Sequence, residues 1–362
     1  MTYRFNIPKP VFSSDTIINK LIEEYSVSIL SQNVNDAIEF KRYTINAIQQ
    51  IEKLLDDLFT NIIIDFPILS DIHPMYFDLI NLVIDDMSEY YTSLHEIARS
   101  IKDTEFIVQN YIHMFDSTNN PVQIKSIYKT IIGQVCSMIK TKQSVFNHLN
   151  STIEYFQWIP EMDEHRNTCL IIGCNQTPHL KRQLFSVLVD STFQQRSKMP
   201  IGHLEDIQVL LTYDVTNGPL ESKETAECVT ITMLSHLKTL IIWLFDFSNP
   251  VIFEQQVQIY QSMSPLFSNK SVVFVFNNPN NQPVNALCNI FQVLPKYIFS
   301  ITDLNNIKEA ILSYNYPETS LDESLTTSMN SFSISNEKSN VQTNQIDMDI
   351  LNRLERLDIN KK

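Results

Sequence analysis

The stretch Thr168–Val189, TCLIIGCNQTPHLKRQLFSVLV, reads as a short buried strand, Leu170-Ile171-Ile172, that ends at Gly173, crosses a polar loop and enters a helix carrying Leu184, Phe185 and Leu188 on one face. A phosphate-binding loop occupies this place in many α/β proteins. It needs glycines so that backbone N–H groups can wrap the anion, a lysine for the β and γ oxygens, and a hydroxyl for Mg²⁺. Here Pro178, His179 and Leu180 stand at the glycine, lysine and serine places of the G-x-x-x-x-G-K-[ST] spacing that starts at Gly173. Proline offers no N–H and leucine cannot ligate a metal. The frame of a phosphate cradle is present and its chemistry is not.

Working outward, short apolar runs alternate with helical patterns. The runs are Leu170–Ile172, Ile207–Leu211, Thr239–Phe245, Val272–Phe276 and Tyr297–Ile301, and the helical stretches fall near 181–190, 222–236, 251–263, 283–292 and 304–313. Continuous apolar strands separated by helices predict a mainly parallel sheet covered on both faces, with its ligand crevice beyond the carboxyl ends of the strands. Before Trp158-Ile159-Pro160 the pattern is helical throughout. Residues 14–31 carry Ile17, Leu21 and Ile29 on one face, Thr44–Phe59 carries Ile48, Ile51, Leu55 and Leu58, and periodic stretches cover Met75 to about Phe115 and about Val122 to Leu149. These elements predict an antiparallel helical bundle. The expected division is a bundle over 1–157, a sheet domain over 158–315, a Ser/Thr/Asn-rich disordered linker over 316–344, and a short amphipathic helix over 345–362 with Ile346, Ile350, Leu354 and Leu357.

Composition narrows the function classes. Lys+Arg 27 against Asp+Glu 41, net −14, argues against a polyanion binder driven by bulk charge, so DNA is not an expected partner and any RNA contact needs a local patch. Between Ile17 and Met75 the bases Lys20, Lys41, Arg42 and Lys53 face Glu23, Glu24, Asp36, Glu39, Glu52, Asp56, Asp57, Asp65 and Asp71, the wrong balance for gripping phosphates. The five cysteines are scattered in apolar surroundings, which predicts free thiols in a reducing compartment. No apolar run reaches a membrane span, and MTYRFNIPKP has neither a signal peptide's apolar core nor a transit pattern, so cytosol or nucleus is expected and a membrane is not. Only 4 glycines occur in the chain, little for a phosphate-binding enzyme.

The sequence resembles the nucleolar GTP-binding protein 1 family of translation-factor-like GTPases. The residues that carry the resemblance are FPILSDIHPMYFDL (66–79), IIGQVCSMIK (131–140), IPEMDEHRNTCLIIG (159–173), GPLESKETAE (218–227), LSHLKTLIIWLFDFS (234–248) and EQQVQIYQSMSPLFSNKSVVFVFN (254–277). The resemblance implies an α/β P-loop-GTPase-like domain preceded by the helical bundle, GTP and Mg²⁺ as the family's ligands, a nucleolar or nuclear location with the cytoplasm as alternative, and a part in assembling the large ribosomal subunit. Its implied partners are pre-ribosomal particle proteins and, through a local patch, ribosomal RNA. The family's long basic C-terminal extension has no counterpart before Lys362.

Departures from the family's pattern gather at the nucleotide motifs. Besides Pro178, His179 and Leu180, the switch threonine region reads Phe193-Gln194-Gln195-Arg196, the D-T-P-G stretch aligns with Leu211-Thr212-Tyr213-Asp214, and N-K-x-D becomes Asn277-Asn278-Pro279-Asn280. An amide at Asn280 offers one carbonyl where a carboxylate would take two guanine N–H donors. The expected site is therefore a vestigial one at Gly173, Pro178, His179, Leu180, Asp214, Asn277 and Asn280, with no catalytic or metal-binding residues and no bound cofactor. A lysine on the phosphates and a bound Mg²⁺ each contribute roughly several kcal/mol, and every ~1.4 kcal/mol lost is tenfold in affinity. The expected function is a non-catalytic factor or scaffold in large-subunit biogenesis. The alternatives are a GTPase that uses Lys181 or Arg182 on the phosphates, and a cytosolic scaffold unrelated to ribosomes.

Other candidates read as structural. His165, Cys169, Cys174 and His179 lack zinc-site spacing, His95-Glu96 lacks the second histidine of a zincin motif, and His73 beside Asp71 is placed to cap the helix that begins at Pro74. Asp246, at the end of a strand, is expected to start the following loop.

Overall fold

In the computed structural model the described residues are 5–26, 36–69, 72–163, 165–192, 197–277, 284–291 and 295–316. The chain divides into two compact units, one mainly helical and one built on a sheet.

The helical unit, whose described residues fall within 8–70 and 86–154, holds α1 (Ser14–Leu21), α2 (Ala37–Asp65), the break before α4 (Met87–Ile112), then α5 (Pro121–Thr141) and most of α6 (Gln143–Phe156). The starts of α1, α2, α4 and α5 are each set by a short polar side chain that accepts the first free N–H groups. Asp36 accepts from Ile38 (2.8 Å), Asp86 from Ser88 (2.8 Å) and Glu89 (3.1 Å), and Asn120 from Val122 (3.0 Å) ahead of Pro121. The apolar stripes meet as Ile48, Ile51, Leu55 and Phe59 of α2 pack with Leu94, Ile97, Ile101 and Val108 of α4 and Ile124, Ile131, Val135 and Ile139 of α5. Leu58, expected on that stripe, is half-buried, and Phe59 holds the core position instead. Ile29 lies outside the described residues.

Two periodic stretches that read as single helices are broken. The Met75–Phe115 pattern stops where Ile84 turns extended (φ −99°, ψ 121°) and restarts at the Asp86 cap, and the 122–149 pattern is interrupted at Lys142. The Lys142 ammonium, freed at that break, pairs with Glu96 of α4 and holds the Glu96 carboxyl below the usual carboxylate range.

The break has an architectural consequence. Helix α3 (Pro74–Val83) belongs to the sheet unit, whose described residues fall within 1–7, 71–85 and 155–335, so the single boundary expected at 157 is replaced by a discontinuous one. There α3 packs on α8 (Thr225–His236). Asp78 Oδ2 and His236 Nε2 lie 2.8 Å apart, and the Tyr76 hydroxyl donates to the carbonyl of Pro160 (3.4 Å) and accepts from the N–H of Met162 (3.3 Å). His73 does cap α3, its Nδ1 accepting from the N–H of Met75 at 3.1 Å; Asp71 lies outside the described residues.

The sheet has seven strands in the order β2-β3-β4-β1-β5-β6-β7, comprising β1 (Thr168–Gly173), β2 (Ser191–Thr192), β3 (Ile201–Leu204), β4 (Ile207–Leu211), β5 (Leu240–Asp246), β6 (Val272–Asn277) and β7 (Ile298–Ser300). Strands β4, β1, β5, β6 and β7 run parallel, with Leu170 opposite Leu210 on one side and Ile241 on the other. The crossover helices are α7 (Pro178–Leu188), α8, α9 (Pro250–Met263) and α10 (Val284–Phe291), and α11 (Leu304–Leu312) follows the last strand. Cys169 and Ile171 meet Leu184, Phe185 and Leu188 of α7 and Ile307 and Ile311 of α11. Elsewhere in the unit Trp243, Phe245, Phe274 and Phe276 meet rings of Tyr260, Phe267 and Phe291, with Trp243 to Tyr260 at 5.1 Å and Phe245 to Phe276 at 5.2 Å. Each such large apolar side chain contributes about 1.5–3 kcal/mol by leaving water.

Strands β2 and β3, which add to β4 in antiparallel fashion, have no counterpart in the sequence reading. The reason is local: β3 contains Gly202, and a Cβ there would lie 2.6 Å from Val189 Cγ1, so close packing removed the apolar side chain that would have marked a strand. The segments expected to be linker (316–344) and end helix (345–362) lie, after Tyr316, outside the described residues.

Candidate functional site

The carboxyl ends of β4, β1, β5 and β6 bring Leu211, Gly173, Asp246 and Asn277 to one edge of the sheet, as the motif spacing requires. Pro178 occupies the first turn of α7, His179 is exposed, and Leu180 is partly buried against the apolar cluster under the helix. Asn280 and Phe193–Arg196 lie outside the described residues.

The loop itself is drawn closed. The N–H of Asn175 donates to the carbonyl of Val215 (3.3 Å), the N–H of Val215 to Gly173 (3.1 Å), and the N–H of Thr177 to Cys174 (2.9 Å). Two amides that an anion cradle would direct at phosphate oxygens are thus taken by backbone carbonyls. The Thr177 hydroxyl also donates back to Cys174 (3.0 Å), and it lies 2.7 Å from where a Cβ on residue 173 would be, so any larger residue here would force that side chain to shift.

Lys181 is the decisive side chain. It sits one turn into α7, is 3% exposed, and points inward, its Nζ 2.7 Å from the carbonyl oxygen of Thr212 and 2.5 Å from Oδ1 of Asp214. Burial holds the Lys181 pKa below the usual lysine range, with the Asp214 carboxylate pulling it back upward. Burial likewise pushes the neighbouring Cys174 thiol up to about 12 and the Cys169 thiol higher still, so both remain protonated and act as small apolar groups. Among the described residues His165, Cys169, Cys174 and His179 form no cluster suited to a metal.

A second buried network follows directly in the chain. Glu227 accepts from the N–H and the hydroxyl of Thr216 (both 2.8 Å), and Lys223 pairs with Glu227 while donating to the Thr216 carbonyl (2.9 Å). At the far end of the edge, Asp246 Oδ1 accepts from the N–H (3.0 Å) and hydroxyl (2.6 Å) of Ser248 and from the side-chain amide of Asn277 (2.9 Å). Asp246 therefore does start the loop, and Asn277 ties two strand ends together.

The inward turn of Lys181 and the Thr216–Lys223–Glu227 network were missed by sequence reasoning, which read Lys181 only with Arg182 as a free basic pair. Two signals were available. The apolar stripe at 184, 185 and 188, continued one turn back, falls on 181, and Lys223 and Glu227 stand four apart, the spacing of an ion pair on a helix.

Comparison with known proteins now bears on this geometry. The family model described as "NOG1 N-terminal helical domain" matches residues 7–163, and the one described as "Nucleolar GTP-binding protein 1 (NOG1)" matches residues 225–278. The chain belongs to the nucleolar GTP-binding protein 1 family. The nucleolar GTP-binding protein 1 of Caenorhabditis elegans is 26% identical over 243 residues, covering 64% of this chain and 35% of the relative. That of Drosophila melanogaster is 26% identical over 234 residues (61% and 35%), and that of Saccharomyces cerevisiae 24% over 233 residues (60% and 35%). Each match spans about a third of the relative's length. A solved structure of a nucleolar GTP-binding protein 1 from Plasmodium falciparum aligns at 20% identity and a TM-score of 0.35, over 52% of this chain and 100% of its own. The two family models leave 164–224 between them, the stretch that holds both the Gly173–Leu180 loop and Leu211–Asp214.

Proposed function

We propose that this chain is a family member that has given up the nucleotide and serves as a non-catalytic body in the assembly of the large ribosomal subunit. The single observation that carries the reading is the buried contact of Lys181 with Asp214 and Thr212 at the mouth of the loop. The GTP in the family's name, and the Mg²⁺ that a triphosphate site needs, do not fit the residues present. At the required spacing Pro178 supplies no N–H, His179 no ammonium and Leu180 no metal-ligating hydroxyl, Leu211 stands where a carboxylate would position the cation, and Asn175 and Thr177 have their amides engaged. A triphosphate at this edge would also meet the Asp214 carboxylate, and like charges in a partly dry site repel.

The rival reading, in which Lys181 serves the phosphates, requires that lysine to leave both Thr212 and Asp214 and so to strand a carboxylate beside the incoming anion. Arg182 is exposed and free of that objection. Calorimetry of the full chain with GTP and Mg²⁺ decides between them: no heat at millimolar nucleotide is expected, and a saturating isotherm would overturn the proposal.

The assembly role rests on family membership, and the relatives carry a nucleolar name, with which a nucleolar or nuclear location for this chain agrees. Pre-ribosomal proteins are the partners proposed first, because the acidic balance of the helical unit disfavours broad RNA contact. Gradient sedimentation of the tagged chain from cells should place it with large-subunit precursors. Recovery only in the free fractions would favour a scaffold unrelated to ribosomes.

A further inference from the structure

In nucleotide-operated domains of this architecture, two segments beside the phosphate loop are ordered by contacts to the γ-phosphate and Mg²⁺ and released when those are lost. The corresponding segments here, where described, are tied by the chain's own side chains. On the irregular stretch leading into β3, the Lys198 N–H donates to the carbonyl of Gln157 (2.6 Å), which also accepts from the Ser197 hydroxyl (3.3 Å), and the Lys198 ammonium lies 4.0 Å above the Trp158 ring. The Tyr213 hydroxyl donates to the carbonyl of Trp158 (3.2 Å), and the two rings are 5.5 Å apart. On the stretch after β4, Thr212 donates through both its N–H (3.2 Å) and its hydroxyl (3.0 Å) to Ile171, Lys181 holds Thr212 and Asp214, Val215 bridges to the loop, and Thr216 is held by Glu227 and Lys223. These ties form one continuous chain from Gln157 to Glu227.

We infer, on the reading that no nucleotide fills the crevice, that the stretches 197–199 and 212–227 are held permanently in one conformation by this internal network. Lys181 and Asp214 do from inside the tying that a bound cation and phosphate do elsewhere. The domain then presents a constant face to its partners where a switching relative would present two. Loss of the nucleotide chemistry has produced a locked domain rather than a loose one, because the buried ion pairs replace the ligand's ordering contacts.

Hydrogen exchange on the full chain, read by peptide mass spectrometry, tests this. In the absence of nucleotide, amides of 212–216 should exchange as slowly as those of β1 and β4, and millimolar GTP or GDP with Mg²⁺ should leave them unchanged. Lys181→Met, which keeps an unbranched stem as far as the fourth atom and removes the ammonium, should speed exchange in 212–216 about tenfold or more while β5 and β6 keep their protection. Trp158 fluorescence gives a second reading, since the only other tryptophan, Trp243, is buried in the sheet unit's core. Lys223→Met, acting on the far end of the network, serves if Lys181→Met fails to fold.

Fast exchange across 212–224 in the unaltered, nucleotide-free chain overturns the inference while leaving the loss of nucleotide binding intact. Calorimetric binding of GTP with exchange unchanged does the reverse, overturning the reading above and supporting the lock. Binding that slows exchange in these segments overturns both.

Discussion

Lys181 and Asp214 meet at 2.5 Å with the lysine side chain 4% exposed and the aspartate 32% exposed, so the two partners are unequally dependent on each other. Asp214 can turn to water if its partner is lost. Lys181 cannot, and without Asp214 it keeps only the Thr212 carbonyl.

Asp214→Ala should therefore destabilise the sheet unit by about 3 kcal/mol, since breaking a buried pair from one side leaves an uncompensated charge. Lys181→Met should cost about 1 kcal/mol, and the double variant should be more stable than Asp214→Ala alone. Urea unfolding of the four proteins checks the order. The pH dependence has a fixed sign. A lysine whose folded pKa lies below 10.5 leaves the unfolded chain holding more protons in the window between the two values, so stability rises with pH there. Removing Asp214 removes the interaction that pulls the folded pKa up, so in Asp214→Ala that window should open at lower pH than in the unaltered chain.

Glu52 sets the opposite case in the helical unit. Burial first, then the Glu105 and Asp56 carboxylates, raise its pKa above 4.5. The native state therefore holds the proton more tightly than the unfolded one, and the charged form is a liability above the folded pKa. Glu52→Gln should stabilise the chain by about 0.5 kcal/mol at neutral pH and by nothing well below pH 4.5, where both states are protonated. Thermal melts at the two pH values test it. Glu96 has the reverse sign: its Lys142 hydrogen bond lowers its pKa, so its contribution is present above 4.5 and fades as pH falls through the lowered folded value.

The contrast between these elements and the sequence reading follows from what each residue type reveals. The inner parallel strands were legible because a strand buried on both faces must be apolar throughout, as Leu170–Ile172 and Leu240–Phe245 are. The motif substitutions at Pro178, His179 and Leu180 were legible because they are absences at fixed spacing. What replaced the lost chemistry was not. A lysine or glutamate is marked as buried only indirectly, by the stripe of α7 that extends to 181 and by the four-residue spacing of Lys223 and Glu227, and its residue type argues the other way. The transfer of α3 to the sheet unit was hidden because its apolar face reads alike whichever unit covers it.

Gly173→Ala should cost about 2 kcal/mol, because the added methyl meets the Thr177 hydroxyl at 2.7 Å and that hydroxyl is fixed by its bond to Cys174. Thr177→Ala in the same chain removes the obstructing atom, so the pair of changes should be less damaging than Gly173→Ala alone. The Lys181 Cδ, next nearest at 3.4 Å, is in ordinary contact and needs no more than a small shift. Chemical unfolding of both single variants and the double variant gives the coupling. Additivity would mean the loop is not drawn closed on Thr177.

Restoring the loop alone should not restore a GTPase. Pro178→Gly, His179→Lys and Leu180→Ser together return an amide donor, an ammonium and a hydroxyl to the spacing that starts at Gly173, yet three obstacles remain. Leu211 still offers no carboxylate for the cation, the Asn175 amide is still held by Val215, and the Asp214 carboxylate still faces the place the phosphates would enter, joined to Lys181. Each lost charge-assisted contact removes roughly several kcal/mol of transition-state stabilisation, and ~1.4 kcal/mol is a factor of ten. Phosphate release by the triple variant should stay at the buffer background. Adding Asp214→Gly and Leu211→Asp removes the opposing carboxylate and supplies the missing one, so the first detectable nucleotide binding should come with the five-fold variant. Turnover in the triple variant would instead mean that Lys181 and Asp214 part readily, and that the crevice opens at little cost.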